Sequence, residues 1–340
     1  MNEAVAGYKA VARLYNALMT GLVLTLVSQR GAAPARDFVC GHFRRQHLEK
    51  FLPGLKKLGL DGLPDAVACA QYHYFSNALG GVKTEYVGES ERKAWVRYPP
   101  PRWIWQGTAI CGVPSEVNAA MLDGWHGHNG VSLGNPRLGF VCTGLTTEGD
   151  PGLEGYYFEH DRPLAENERV RFSRDERMPR FDPAQAPRLD VASWPAERLA
   201  KVERAYAVEY LRSLVPTLNE LFGAAEMAAL LGRTARLIGM QFHDELADML
   251  GVRERSPGNF LILLSALLRA SGERVEADGA ELRQRGWKAM DGVTGVPPGA
   301  FAAWNELVVG LLSVHDRFLV LETEDRRAGD GLIVWRVAQA

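Results

Sequence analysis

Two histidines separated by one glycine stand in the stretch WHGHNG, which begins at Trp125. Glycine and asparagine are frequent where a helix ends. If the chain leaves the helix here, the imidazoles of His126 and His128 can turn to one side. A third group, such as His160 or Asp161, would then complete a site for a divalent metal. The alternative is that both histidines cap the last carbonyls of a helix or lie on the surface.

The stretch YYFEHDRPL contains a second candidate for chemistry. His160 stands between Glu159 and Asp161, and a neighbouring carboxylate orients an imidazole and favours its protonated form. The pattern is compatible with a general base. Tyr156 shares a strand face with His160, because side chains alternate along a strand, and is a candidate contact to a substrate. The alternative is a solvated strand end with an Asp–Arg pair.

The stretch RYPPPRWIWQG joins arginine and tryptophan on a loop stiffened by proline. Trp103 and Trp105, with Trp125 nearby in sequence, could wall a pocket for a flat ligand. Arg97 or Arg102 would bind a carboxylate of that ligand through the planar guanidinium fork. Alternatively, the tryptophans pack on the second half of the chain as an interface plug.

Cys111 is the best candidate for a nucleophile among the four cysteines. It directly precedes a Gly-Val-Pro stretch that predicts the start of a helix, where the helix dipole favours the reactive thiolate. A small buried hydrophobic side chain is the alternative for every cysteine in the chain. Their spacing forms no CxxC metal motif. The other three are Cys40, Cys69 and Cys142.

The sequence segments expected to position these residues occur twice in the chain. The stretch GLVLTLVSQRGAA, from Gly21, aligns without a gap with SLVPTLNELFGAA, which lies 192 residues later. The same offset pairs Trp95 with Trp287. Further on, GVPSEVNAAMLDG, from Gly112, parallels GVPPGAFAAWNEL, from Gly295. Self-similarity at a constant offset indicates internal duplication.

Each copy predicts helices, a strand pair, a further helix and a closing hairpin with a Gly-Asp turn. The expected fold class is α+β. We predict two tandem copies of a helical bundle followed by a small antiparallel sheet with an inserted helix, related by a pseudo-twofold axis. The predicted domains are a first repeat at 1–162, a charged, proline-rich linker at 163–196 and a second repeat at 197–340.

The two copies differ in their reactive residues. All four cysteines lie in the first copy, and the second copy has only His243 and His315 of the eight histidines. Where the first copy has WHGH, the second has apolar residues at the aligned positions. We therefore expect the first repeat to carry the site and the second to be degenerate and structural.

The closing hairpins also carry a family resemblance. The stretches EGDPGLEGYYFEH and RAGDGLIVWRV, with RLGFVCT and RFLVLET before them, resemble the 4-vinyl reductase-type small-molecule-binding domain and the related 2-aminothiazoline-4-carboxylate hydrolase-like proteins. The resemblance implies an α/β domain that encloses a small ligand, and hydrolysis of a C–N bond such as ring opening. Many members have a cysteine just after the Gly-Asp turn, where this chain has Leu153 or Glu154.

The amino-acid composition restricts the classes of partner that we expect the protein to bind. The 340 residues are 46% hydrophobic and 24% charged, with a formal net charge of −2, as in globular proteins. No basic block indicates nucleic-acid binding. The apolar run at 18–27 is too short to span a bilayer. We expect a cytoplasmic protein whose partner is a small molecule, with neither nucleic acid nor membrane.

Two functions follow from these patterns. The first is a hydrolase that cleaves or opens a C–N bond of a small polar or heterocyclic acid, with histidines activating water. The alternative is a non-catalytic small-molecule-binding or sensory module. An enzyme predicts polar histidine groups that converge around a water or a metal, whereas a binding module predicts a dry, closed cavity with the histidines outside it.

Overall fold

The chain begins with a 28-residue helix, α1 (Glu3–Arg30). The computed structural model describes residues 2–102, 106–189, 194–278 and 280–339. Its contacts divide the chain into one unit of residues 26–195 and a second unit of residues 1–25 with 196–340. Most of α1 therefore belongs to the unit that contains the second half of the sequence. The predicted domain boundaries, in contrast, placed this helix in the first repeat.

The N-terminal apolar run is part of a much longer helix than the sequence suggests. By length and composition α1 is apolar enough to cross a membrane, and 67% of its most apolar stretch is buried inside the protein. Leu18, Met19 and Leu22 are fully buried. The core helix of a globular protein has the same length and composition, so α1 does not by itself indicate a membrane span.

The unit of residues 26–195 is an α+β fold with one mixed sheet. The strand order is β1-β2-β4-β3-β5, and neighbouring strands are antiparallel except for the parallel pair β3 and β5. Helices precede the sheet and lie between its two hairpins. The elements are α2 (Ala32–Lys57), α3 (Asp65–Leu79), β1 (Glu85–Ser90), β2 (Lys93–Tyr98), α4 (Ser115–Gly124), α5 (Asn129–Leu133), β3 (Leu138–Gly144), β4 (Leu153–Glu159) and β5 (Val170–Phe172).

Part of the expected linker is a strand of this sheet. β5 lies within residues 163–196 and pairs with Phe140–Cys142 of β3. Further along, the backbone N–H of Met178 donates to Glu154 Oε1 at 2.9 Å. The charged, proline-rich composition hid these contacts, because a three-residue edge strand has no detectable hydrophobic period.

The other unit has a fully antiparallel sheet with strand order β6-β7-β9-β8. The succession of helices, strand pair, helix and hairpin occurs in both halves of the chain. The α+β class is confirmed, while the common origin of the two halves stays a prediction. The elements are α6 (Ala196–Phe222), α7 (Ala224–Leu250), α8 (Pro257–Ser271), β6 (Val275–Asp278), β7 (Glu281–Arg285), α9 (Ala300–His315), β8 (Leu319–Arg326) and β9 (Leu332–Gln339).

Glycines allow the helix before each closing hairpin to approach an earlier helix at backbone contact. A Cβ at Gly124 of α4 would lie 2.6 Å from the carbonyl oxygen of Cys40 in α2. In the other unit, a Cβ at Gly310 of α9 would lie 2.1 Å from the carbonyl oxygen of Arg236 in α7. Real Cβ atoms do not reach such distances, so α2 fixes the end of α4, where the WHGH stretch begins.

Candidate functional site: a buried histidine cluster

An arginine ends α4 just before the paired histidines. Arg44 of α2 donates from Nε to the carbonyl oxygen of Gly124 at 2.9 Å and from Nη2 to that of Asp123 at 2.7 Å. The last carbonyls of a helix lack intrahelical partners, and these bonds satisfy two of them. The chain then makes a 3-10 turn over His126–His128 and continues into α5. It leaves the α-helix here, as the metal hypothesis required.

The turn delivers His126 into the interior against a histidine from α3. The rings of His73 and His126 stack with centroids 4.1 Å apart and planes 8° from parallel. His73 is 5% exposed and His126 is 6% exposed. The ring of Phe140 packs on His126 at 4.5 Å. Two imidazoles therefore share a nearly dry aromatic environment.

A hydrogen-bonded chain fixes the protonation of His126. Asn129 donates from Nδ2 to the hydroxyl oxygen of Tyr157 at 2.8 Å, and that hydroxyl lies 2.7 Å from His126 Nδ1. An amide NH₂ group only donates, so the phenolic hydrogen is directed to His126 Nδ1. With Asn129 in this orientation, the network requires His126 to carry its own proton on Nε2.

Burial keeps these groups uncharged. Burial is the larger and the nearby His47 the smaller cause that together lower the pKa of His73 to about 3. Burial, followed by His73, lowers the pKa of His126 well below its ordinary value. Burial raises the pKa of the Tyr157 hydroxyl well above its ordinary value. Near neutral pH the cluster therefore presents neutral hydrogen-bonding groups, without a fixed charge.

His128 faces a different histidine. Its ring lies 5.2 Å from that of His47, edge to face. His47 also forms a hydrogen bond through Nε2 with the hydroxyl of Ser132, at 2.9 Å. Trp125 contacts His47 at 5.5 Å and His73 at 6.0 Å between ring centroids. Trp125 thus connects the two histidine pairs into one cluster, which we call the histidine cluster; its His47, His73 and His126 are buried, while Trp125 and His128 are half-buried.

Several nitrogen atoms of the histidine cluster are buried without a hydrogen-bond partner among the described residues. Buried polar atoms in native proteins are normally paired with protein or water, so each exception needs an explanation. A polar ligand that enters the cluster would supply the missing partners. The atoms are His47 Nδ1, His73 Nε2, Trp125 Nε1 and His128 Nδ1.

His160 and Asp161 lie outside this cluster. The ring of His160 packs edge to face on Phe158, and burial lowers its pKa, contrary to the expected effect of a carboxylate. Asp161 pairs instead with Arg92 at 2.6 Å. Among the described residues, no group of three or more His, Cys, Asp or Glu side chains has the arrangement of a metal site. The expected set of His126, His128 and His160 is therefore not brought together.

The two candidate arginines are engaged within the protein. Arg97 donates from Nε to Glu85 Oε2 at 2.7 Å, and its Nη1 lies 3.7 Å from Glu154 Oε2. Arg102 lies over the ring of Tyr98 at 5.1 Å and contacts Met121 Sδ at 3.7 Å. Arg97 is thus already paired with carboxylates of the protein, whereas the Tyr98 ring beneath Arg102 lies 6.1 Å from the ring of His126 in the histidine cluster.

The remaining candidates fall in other places. Tyr156 donates to Glu176 Oε1 at 2.8 Å. Cys111 is exposed in a 3-10 turn over Gly107–Gly112, and α4 begins only at Ser115, so the expected helix N-terminus is displaced from the thiol. Trp103 and Trp105 lie outside the described residues.

A surface cavity of about 240 Å³ lies beside α5, the helix that follows the His126–His128 turn. Asn129 of α5 reaches Tyr157, while the next two residues line the cavity. Arg169 is the charged residue of its wall, and the other lining side chains are mostly apolar. The lining residues are Gly130, Val131, Gly134, Asn135, Pro136, Leu138 and Arg169.

Sequence reasoning missed His47, His73, Asn129 and Tyr157 as parts of the site. The concentration of histidines in the first half pointed to this region, but nothing in the sequence linked His73 to His126, which lie 53 positions apart. No family model, curated protein or solved structure matches the chain. The resemblance of its closing hairpins to 4-vinyl reductase-type domains stays a prediction.

Proposed function

We propose that the unit of residues 26–195 binds a small, flat, heterocyclic acid at the histidine cluster. The observation that carries the proposal is the unpartnered, buried Nε2 of His73 beside His126, whose own Nδ1 is already occupied by Tyr157. Leaving a buried polar atom unpaired costs about 1–3 kcal/mol. A ligand that satisfies such atoms recovers that cost.

The chemistry of the cluster supports this ligand class. The Nε2–H of His126 and the Nε1–H of Trp125 are neutral donors, which suit carbonyl, carboxylate or ring-nitrogen acceptors. Aromatic side chains surround the stacked imidazoles, and ligand sites combine apolar walls with a few placed polar groups. A flat heteroaromatic ring with an acceptor at its edge matches both features.

The cavity beside α5 supports an acidic group on the ligand. Its wall is mostly apolar, and Arg169 supplies a guanidinium that binds carboxylates through two parallel N–H donors. The same residue is close enough to His128 to lower the pKa of that imidazole, after burial and Arg44. We propose that the ligand enters by this cavity with its carboxylate toward Arg169.

Hydrolysis of a C–N bond, the reaction that the family resemblance implies, is the second candidate. A general base works best with a pKa near the working pH, and the pKa values of His73 and His126 are far below it. His128 is only half-buried, so it is the candidate general base for this reaction, although burial, Arg44 and Arg169 lower its pKa as well. This second candidate does not include a divalent metal bound by both His126 and His160. His126 contacts Tyr157, whereas His160 packs on Phe158.

Ligand-observed NMR of the full chain tests both candidates. The probes are pyridine-3-carboxylate, which has no hydrolysable bond, and 2-aminothiazoline-4-carboxylate, which does. We expect saturation transfer from the wild-type protein to both probes and no ring-opened product. We expect the transfer to be lost in His73→Phe and in His126→Val, which carries the residue of the aligned position in the second half. The matched control, His160→Ala, keeps it.

Three outcomes discriminate the alternatives. Ring opening that is lost in His128→Gln would replace the binding module by the hydrolase. Transfer that survives in both His73→Phe and His126→Val would remove the histidine cluster as the site. Equal transfer to benzene carrying no carboxylate would contradict the acidic ligand class and the role of Arg169.

A further inference from the structure

The other unit contains a buried pair of histidines that the proposed function does not use. His243 lies on α7 and is 2% exposed, and His315 is the last residue of α9 and is 1% exposed. Their rings lie 5.2 Å apart, and the ring of Phe260 from α8 covers His315 at 5.4 Å. The pair thus stands where three helices meet.

Three hydrogen-bond contacts join this pair into one chain. Asp244 Oδ1 lies 2.7 Å from His243 Nδ1, and His243 Nε2 lies 3.0 Å from His315 Nδ1. At the far end, His315 Nε2 lies 3.1 Å from the carbonyl oxygen of Ser256, the N-cap of α8. We call this chain the histidine relay.

Both ends of the histidine relay only accept hydrogen bonds. The Ser256 carbonyl requires a proton on His315 Nε2, and the Asp244 carboxylate requires a proton on His243 Nδ1. The contact between His243 and His315 requires a third proton. Two neutral imidazoles carry only two protons, so in every neutral arrangement a lone pair would face the other ring at 3.0 Å, the carboxylate at 2.7 Å or the Ser256 carbonyl oxygen at 3.1 Å.

We propose that the histidine relay is a buried proton-binding site, which holds one proton more than two neutral histidines and ties the ends of α7 and α9 to the start of α8. The proton resides on His243, next to the Asp244 carboxylate. His315 stays neutral, in agreement with the lowering of its pKa by burial and by the charge of His243. The hydrogen bond from His243 likewise lowers the pKa of Asp244.

Charged groups face the histidine relay from three elements. Asp244 stands on α7, and Asp316 follows α9 and favours a protonated His315. Arg255, in the segment before α8, opposes protonation, but it donates to Asp244 Oδ1 at 2.8 Å and to the Val314 carbonyl at 2.6 Å. Arg255 thereby holds the carboxylate in place and closes the relay at the end of α9.

The direction of the pH effect follows from the proton count. At a pH above 6.5, the ordinary value for imidazole, an unfolded histidine is mostly neutral. A folded state that retains an extra proton there binds more protons than the unfolded chain, so its stability falls as pH rises. We expect the relay to hold the three helices together at neutral and lower pH and to release them in alkaline solution.

Long-range ¹H–¹⁵N NMR of the full chain tests the proposal, because a doubly protonated imidazole differs from both neutral tautomers. We expect one buried histidine of the wild-type protein to be doubly protonated at pH 7, where a free imidazole is mostly neutral. His243→Gln assigns the signal by removing it. A wild-type spectrum with only neutral buried histidines at pH 7 would overturn the proposal.

The variant Asp244→Asn gives a more discriminating test of the proposal. Its amide can donate to His243 Nδ1, so the relay is complete with two neutral rings. Because Asp244 is mostly exposed, we expect the variant to fold and to lack the doubly protonated signal at pH 7. Asp316→Asn, which changes a nearby carboxylate outside the hydrogen-bonded chain, is the matched control and keeps the signal. Retention of the signal in Asp244→Asn would contradict the proton count.

Discussion

The imidazole of His73 stacks on that of His126 with 4.1 Å between ring centroids. The two residues come from α3 and from the turn after α4, and neither ring is paired with a carboxylate in the described part of the chain. A neutral stack with an unpartnered nitrogen is a poor way to stabilise a core. The arrangement is explained if the nitrogen is kept for a ligand.

Replacement of His73 by phenylalanine separates stability from binding. His73→Phe keeps a flat ring against His126 and removes the unpartnered Nε2. We expect the free energy of unfolding to stay the same or to increase by about 1–2 kcal/mol, while binding of pyridine-3-carboxylate is lost. Urea unfolding and ligand-observed NMR measure the two effects. A large loss of stability would mean that the imidazole has a structural partner.

Neighbouring tyrosines on β4 give a matched pair of substitutions. Tyr157→Phe removes the hydroxyl between Asn129 and His126 and leaves both side chains without that partner. We expect it to lower the free energy of unfolding by about 1–3 kcal/mol. Tyr156→Phe removes a more exposed bond to Glu176 and is expected to cost less than about 1 kcal/mol. Equal effects in urea unfolding would contradict the buried chain.

Acid should destabilise the unit of residues 26–195. Burial, as the largest cause, lowers the pKa values of His42, His47 and His73 to about 3. Between that value and the ordinary 6.5, the unfolded chain binds more protons than the folded unit, so stability is complete above pH 6.5 and falls toward pH 3. Each histidine contributes a slope of about 1.4 kcal/mol per pH unit.

Urea unfolding at a series of pH values measures this slope. His73→Phe should reduce it by the contribution of one histidine, whereas His160→Ala, at a half-exposed position, should change it less. The histidine relay has the opposite dependence on pH, so hydrogen exchange of peptides from α2 and α3 is compared with that of peptides from α7 and α9. If the free energy of unfolding changes with pH equally in His73→Phe and in the wild type, then His73 is protonated in the folded protein as it is in the unfolded chain, which would contradict this prediction.

The close approach of α4 to α2 gives a packing test. In Gly124→Ala, the new Cβ would lie 2.6 Å from the Cys40 carbonyl oxygen, and the helices must separate. We expect a loss of about 1–3 kcal/mol of stability together with weaker probe binding, because the turn with His126 starts at this helix end. Gly62→Ala, where nothing lies within 4 Å of the new Cβ, is the control and should leave both unchanged.

The sequence predicted the helices and hairpins well because their periods and glycine ends are local features. The metal hypothesis required the chain to leave the helix near His126, and the chain does so in a 3-10 turn over His126–His128. The stack of His73 on His126 depends on how α3 packs against that turn, which no local pattern contains. The partners of Arg97 could not be read from the sequence, because Glu85 and Glu154 come from the neighbouring strands of the sheet.

In the proposed complex, neutral histidines of the unit of residues 26–195 contact a small acidic heterocycle. Long-range ¹H–¹⁵N NMR of His126 during titration with pyridine-3-carboxylate tests it most directly. We expect a neutral His126 with its proton on Nε2 at pH 7, and a shift of the Nε2 resonance as the probe saturates its site. A doubly protonated His126, or an Nε2 resonance that does not move at a probe concentration that saturates binding, would contradict it.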